Sequence, residues 1–203
     1  MSDSLNFQPT RVAVAEMERA IGHAMARWQM VETALYVLAH CLMGTTREVS
    51  SIAFFHIKSA ESKFGFVDKL CLNGLPKSVY QRKWTVLRKE SDDLIRGRNA
   101  LAHFEMSWVE TGEAKSKSKF PIALHTHHLN THATRHGKAQ GMYVETVLEG
   151  AEAFEVYAKQ LIQFAAAEIP DWPQRVALLP PNLRRFLESI RNMTNREGGQ
   201  PQL

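Results

Sequence analysis

Residues 76–103 read PKSVYQRKWTVLRKESDDLIRGRNALAH, a stretch that opens on proline and meets no strong breaker before its closing histidine. Pro76 suits the first position of a helix, where its missing N–H is not needed. At about 1.5 Å of rise per residue the segment forms a helix roughly 40 Å long. Gly97 is its one weak point. With residues about 100° apart around the axis, Tyr80, Trp84, Leu87, Leu94, Leu101 and Ala102 point into one sector. That sector is the face a bundle helix buries. Arg98 falls in its middle, and a guanidinium centred on an apolar stripe is costly unless it is paired or faces water. Asn99 and His103, four residues apart, share a neighbouring face, with Arg96 beside them. The helix therefore ends in a polar cluster where packing alone would place leucine.

The flanking sequence supplies further helices. A long one is expected from after Pro9-Thr10 to Gly44, with Met17, Ile21, Met25, Trp28, Leu35, Leu38 and Leu42 recurring at three- and four-residue steps as a buried stripe. Glu32 stands at the margin of that stripe. Thr45 or Thr46 caps a shorter helix to Ile57, and Ser59 caps another reaching about Leu72, broken by Asn73-Gly74. After His103, FEMSWVE and FPIALHT read as a hairpin around the polar, lysine-rich GEAKSKSK. Residues 125–141 read as loop, Met142 to Glu145 as a short third strand, and Thr146 caps a long helix to Ile169. Leu148, Phe154, Tyr157, Leu161, Ile162 and Phe164 form its inward face. The fold class that follows is mainly α: an antiparallel four- to five-helix bundle with a small β-hairpin insertion. The organisation is a flexible N-terminus over 1–10, a bundle over 11–169 with the hairpin and a histidine-rich loop around 104–145, and a tail over 170–203. Pro170, Pro173, Pro180 and Pro181 mark that tail as a linker leading to a short basic helix, Leu183 to Ile190, and a disordered end.

Composition bounds the function. The chain has 203 residues, 44% hydrophobic and 23% charged, enough for a real core and too apolar for wholesale disorder. No apolar run approaches the roughly 20 residues of a membrane helix, and the N-terminus lacks the basic start and apolar stretch of a secretory signal. Cys41 and Cys71 sit in helix-like apolar patterns, as reduced core thiols do, so the expected location is cytoplasmic. The net charge of +4 is concentrated. Lys77, Arg82, Lys83, Arg88, Lys89, Arg96 and Arg98 outnumber the acids of one segment, and Lys115, Lys117, Lys119, Arg135 and Lys138 those of the next. Such a distribution is either a solvated basic face or a surface for a polyanion such as RNA.

The run Arg98-Asn99-Ala100-Leu101-Ala102-His103 resembles the Arg-x4-6-His signature of the HEPN superfamily, in which a polar residue, often Asn, follows the arginine. The first helix carries Trp28-x3-Glu32-x2-Leu35, which is similar to the first helix of several bacterial HEPN groups, and the likeness covers roughly residues 10 to 168. The resemblance implies a metal-independent endoribonuclease, without cofactor, working as a homodimer with two motif helices facing across an RNA-binding cleft. It gives His103 the role of general base or acid for attack by the RNA 2′-hydroxyl. Arg98 would hold the scissile phosphate, and Asn99 would support the phosphate or orient the histidine. Arg96, Lys115, Lys117 and Lys119 are the expected RNA contacts and Glu32 a supporting residue. The resemblance also allows an antitoxin or regulator as partner, in toxin–antitoxin or anti-phage systems, and no membrane. Its alternative is a non-catalytic dimerisation or nucleotide/RNA-binding module.

Rival readings attach to the same residues. In one, Arg98 is structural, paired with a buried carboxylate of which Glu32 is the best candidate, while His103 merely ends the helix. In the loop carrying His125, His127, His128, His132 and His136, His128 with His132 or His132 with His136 has ligand spacing only if the loop becomes helical, and no cysteine and few carboxylates accompany them, so no metal is assigned. Phe104 and Trp108 are read as strand-core packing rather than base-stacking platforms. Arg184, Arg185 and Arg191 fit a surface helix. The chain has no phosphate-binding glycine loop, nucleophile elbow or zinc-type cysteine pattern.

Overall fold

A computed structural model describes residues 11–108, 122–126 and 142–197. The protein is mainly helical with a small antiparallel sheet. Helix α1 spans Arg11–Met43, α2 Arg47–Phe55 and α3 Ala60–Gly74. A single turn, α4 (Lys77–Val79), passes through a π-helical stretch at Tyr80–Trp84 into α5 (Thr85–His103). Three strands follow, β1 (Phe104–Trp108), β2 (Ile122–Thr126) and β3 (Met142–Tyr143), then α6 (Val144–Glu168), α7 (Trp172–Ala177) and α8 (Pro181–Glu197). Among the described residues no helix is long and apolar enough to cross a membrane.

Local chemistry sets most of these boundaries. Gly44, at φ +60°, ends α1 in the left-handed conformation that a side chain disfavours. The Thr46 hydroxyl accepts from the Val49 N–H and the Ser59 hydroxyl from the Ser62 N–H, each satisfying an otherwise orphaned donor of α2 or α3. Helix α2 stops two residues short of Ile57, and α3 runs through Gly74 rather than breaking there. Pro76, expected inside the helix, stands before it with ψ 138°, and its carbonyl accepts from the N–H groups of Val79 and Tyr80.

The chain divides into two compact units, one holding residues up to Trp28 and Arg96–Ala153, the other Gln29–Ile95 and Phe154–Leu203; α1, α5 and α6 contribute to both. In the first unit β1 pairs β2 and β2 pairs β3, both antiparallel, from Phe104↔Thr126 to Trp108↔Ile122 and with Leu124↔Met142. The hairpin and the third strand are thus present, the third confined to two residues because α6 begins at Val144. The early start also means that Thr146 does not cap α6. Ile122, Ala123 and Leu124 are buried, as are Met17, Ala20, Ala24, Trp28 and Leu101. On α6 the buried positions are Val147 and Ala151, while Leu148, expected inward, is exposed.

The second unit carries the aromatic core. Residues 34–41 of α1 are buried on every side of the helix, which makes this segment a core element. Tyr157 of α6 packs near Phe64 of α3 and donates its hydroxyl to the Leu87 carbonyl at 2.8 Å. Trp84 is fully buried against Phe164, and its indole N–H donates to Asp68 Oδ1 at 2.7 Å. The Tyr80 hydroxyl reaches the same oxygen at 3.2 Å. Satisfying one carboxylate from both ends of Tyr80–Trp84 accompanies the local widening to π geometry, which regular helix spacing does not foresee.

The expected linker is in part helical. Asp171, at φ 57°, turns the chain into α7, from which the Arg175 guanidinium donates to the Cys41 carbonyl in the last turn of α1. Leu179, Leu187 and Ile190 are buried, and the terminal helix runs from Pro181 to Glu197, well beyond the expected Ile190. Burial raises the Cys41 thiol to about 11 against an opposing pull from Arg175, and burial and Asp68 raise Cys71, so both free thiols stay protonated at neutral pH.

Candidate functional site

The sequence-predicted cluster lies in the last two turns of α5. Ser91, Ile95 and Leu101 are buried and Leu87, Leu94 and Arg98 half-buried, so Arg98 lies on the partly buried side of α5, whereas Ala102, expected in the same sector, is exposed. Its Nε is buried with no hydrogen-bond partner, and Nη1 donates to the Asn99 side-chain oxygen at 3.1 Å. A buried N–H without an acceptor costs about 1–3 kcal/mol of desolvation. Arg96, Asn99 and His103 are all exposed. Their spacing of three and four residues places them on one outer face. His103 closes the helix, and the chain passes directly into β1 at Phe104, which is half-buried.

The structure brings some of these residues together and not others. The Asn99 side-chain oxygen accepts from Arg98, its neighbour in the chain. Arg98 and His103 share a helix but not a face, being about 140° apart around it. This end of the helix therefore offers a permanently charged fork and an exposed imidazole in two directions.

Glu32 is engaged elsewhere. It pairs with Lys63 of α3 at 3.1 Å, and Lys63 Nζ also stands 5.4 Å from the Phe54 ring centroid. Lys63 is a buried cation, and it needs a carboxylate more than Arg98 does, which keeps a solvent-facing side. The partner seen for Glu32 is therefore Lys63. Nothing in the sequence marks Lys63, since an isolated lysine in an amphipathic helix ordinarily faces water.

Charge along α5 is partly internal. Arg88 bonds to Asp92 and Ser91, and Lys83 to Glu168, whereas Lys77, Arg82 and Lys89 are exposed. Lys115, Lys117 and Lys119, the expected RNA contacts, lie outside the described residues, as do Arg135, Lys138, His127, His128, His132 and His136. His125 is placed on β2 opposite Glu105 by backbone pairing. Among the described residues no three His, Cys, Asp or Glu side chains gather as a metal site would require.

A second polar cluster, which sequence reading passed over, is buried between α1 and α2. The Ser50 hydroxyl donates to the Arg47 carbonyl at 3.0 Å, lies 2.8 Å from His40 Nδ1 and 3.4 Å from the Tyr36 hydroxyl. Burial, with Arg175 nearby, holds His40 below the ordinary histidine value. Each of the three side chains has a partner, so the cluster is structural. Compared with protein-family models, with curated proteins and with solved structures, the chain matches none.

Proposed function

We propose that this chain is a metal-independent endoribonuclease of HEPN type, an antiparallel helical bundle acting as a homodimer. The observation that carries the reading is Arg98: a guanidinium set in the apolar sector of α5, with a buried, unpartnered Nε and a neighbouring Asn99 holding Nη1. A guanidinium so placed is accounted for if it serves a bound anion rather than stability. The exposed His103 closes the same helix.

In the proposed reaction the RNA 2′-hydroxyl attacks the adjacent phosphorus. An imidazole accepts its proton, and the 5′-oxygen leaves with a proton returned by an imidazolium. The fragments end in a 2′,3′-cyclic phosphate and a 5′-hydroxyl, and no water or metal enters the bond-making step. The guanidinium stabilises the negative charge that builds on the phosphoryl oxygens. Because Arg98 and His103 diverge by about 140° on one helix, the site is completed by a second copy facing the first. Exposed Arg96 stands on the His103 face as a phosphate contact, and an antitoxin or regulator protein would act on this dimer.

Incubating the purified protein with total RNA, with and without chelator and beside His103→Ala, tests the proposal. Cleavage that survives chelation and is lost in the variant is expected. Cleavage that is absent, or equal in the variant, refutes it and leaves the binding-only module.

A further inference from the structure

Helix α2 carries three of the exposed large apolar side chains among the described residues on its outer face. Val49, Ile52 and Phe55 are 51%, 70% and 57% exposed at successive three-residue steps. Such spacing forms a continuous strip on a short helix. Phe55 also lines a cavity of about 160 Å³, together with Tyr36, Arg47, Pro180 and Leu183. The Phe55 ring lies 5.1 Å from Tyr36 and 5.3 Å from Phe54, edge-on to the latter, so the ring is rigidly backed.

Arg47 is the one charged residue among those that line this groove. Exposed Arg184 and Arg185 follow Leu183 in the first turn of α8. None of these three arginines forms an ion pair among the described residues. No carboxylate lines the cavity; exposed Glu48 follows Arg47 in the chain, and Glu32, which precedes Thr33, is paired with Lys63. The strip offers on the order of 300 Å², within the range of functional patches. It falls far short of the roughly 800 Å² per partner that a stable contact between two globular copies buries.

We propose that the groove between α2 and the start of α8 is a docking site for a short acidic segment of another protein, one that inserts an aliphatic or aromatic side chain beside Phe55 and sets a carboxylate against Arg47, with the exposed Arg184 and Arg185 following along α8. The apolar anchor supplies affinity by filling a preformed pocket, and the arginines fix its orientation. The site is independent of the ribonuclease reading, since none of its residues belongs to the Arg98–His103 cluster.

The test is a random peptide library displayed on phage and selected on the full-length protein. The recovered peptides are then synthesised with a fluorophore and titrated against wild type, Ile52→Asp and Arg47→Glu. Both substitutions fall on exposed side chains, and thermal melts confirm that the variants are folded. The expected peptides combine an apolar anchor with net negative charge and bind each variant about tenfold more weakly or worse, the size of one lost anchor contact. Failure to enrich peptides, enrichment of neutral or basic ones, or equal affinity for the variants overturns the proposal. A dimer seen by light scattering and dissolved by Ile52→Asp overturns it too, because the face then belongs to a second copy.

Discussion

Arg98→Met removes the guanidinium while keeping the aliphatic stem that packs on the helix face. The wild-type side chain carries a buried Nε without an acceptor, a debt of about 1–3 kcal/mol. Against this stands the hydrogen bond to Asn99, which the substitution deletes. That bond joins adjacent residues near water, and its net worth is about 0.5–1 kcal/mol. Methionine fills the vacated space without a polar group to bury. The difference predicts a gain of about 1 kcal/mol, within a range from zero to about 2. For a chain of this size each kcal/mol moves the melting temperature by about 2–4 °C. A circular dichroism melt should show Arg98→Met unchanged or up to several degrees more stable, with RNA cleavage abolished. A functional arginine held at a stability cost behaves this way. A melting temperature lowered by more than about 4 °C, roughly 1 kcal/mol or more lost, would refute the reasoning. Arg98 would then be a structural partner of groups in the core.

Three further perturbations test the framework. Burial lowers the His40 value, so the unfolded chain takes up its proton first as the pH falls; stability is full above about 6.5 and declines below it, and His40→Gln should flatten that decline in melts run from pH 7.5 to 5.5. Lys63→Met strands Glu32 in a mostly buried position and should cost about 2–4 kcal/mol in urea denaturation, whereas adding Glu32→Leu should recover most of the loss; a double variant no better than the single one would contradict the pairing. A Cβ on Gly97 meets no heavy atom within 4 Å, so Gly97→Ala should stabilise α5 by about 0.5–1 kcal/mol, read as a raised urea midpoint at unchanged slope.

Where the sequence was explicit, a local chemical signal stood behind it. Thr46, Ser59 and Gly44 define helix ends through a hydroxyl or a positive φ, and the hairpin follows from two strand-like runs around a polar turn. What stayed hidden depended on partners distant in the chain. The π-helical stretch accompanies Asp68 accepting from both Tyr80 and Trp84. The proline-rich tail folds where Asp171 adopts a left-handed turn and Arg175 reaches the end of α1. On α6 much of the core face is alanine, at 151, 158 and 165, too weak a hydropathy signal to set the helix phase, and Leu148 lies outside that face. The candidate site divides in the same way. The inward position of Arg98 and the shared outer face of Arg96, Asn99 and His103 follow from spacing alone. The Asn99–Arg98 bond and the commitment of Glu32 to Lys63 depend on side-chain geometry and on a buried lysine that spacing cannot reveal.

The central claim is that His103 moves protons during attack by the RNA's own hydroxyl. Its most direct test is a defined RNA oligonucleotide and a twin carrying a single 2′-deoxy sugar at the mapped cleavage position, each incubated in EDTA with wild type and with His103→Ala, the fragments being analysed by mass spectrometry. The account predicts fragments ending in 2′,3′-cyclic phosphate from the all-ribose strand alone. The variant should lose ~10²–10⁴-fold in rate, as removal of a general acid–base group does, with its fold intact. Cleavage of the deoxy twin at the same position, or an undiminished rate in His103→Ala, would contradict it.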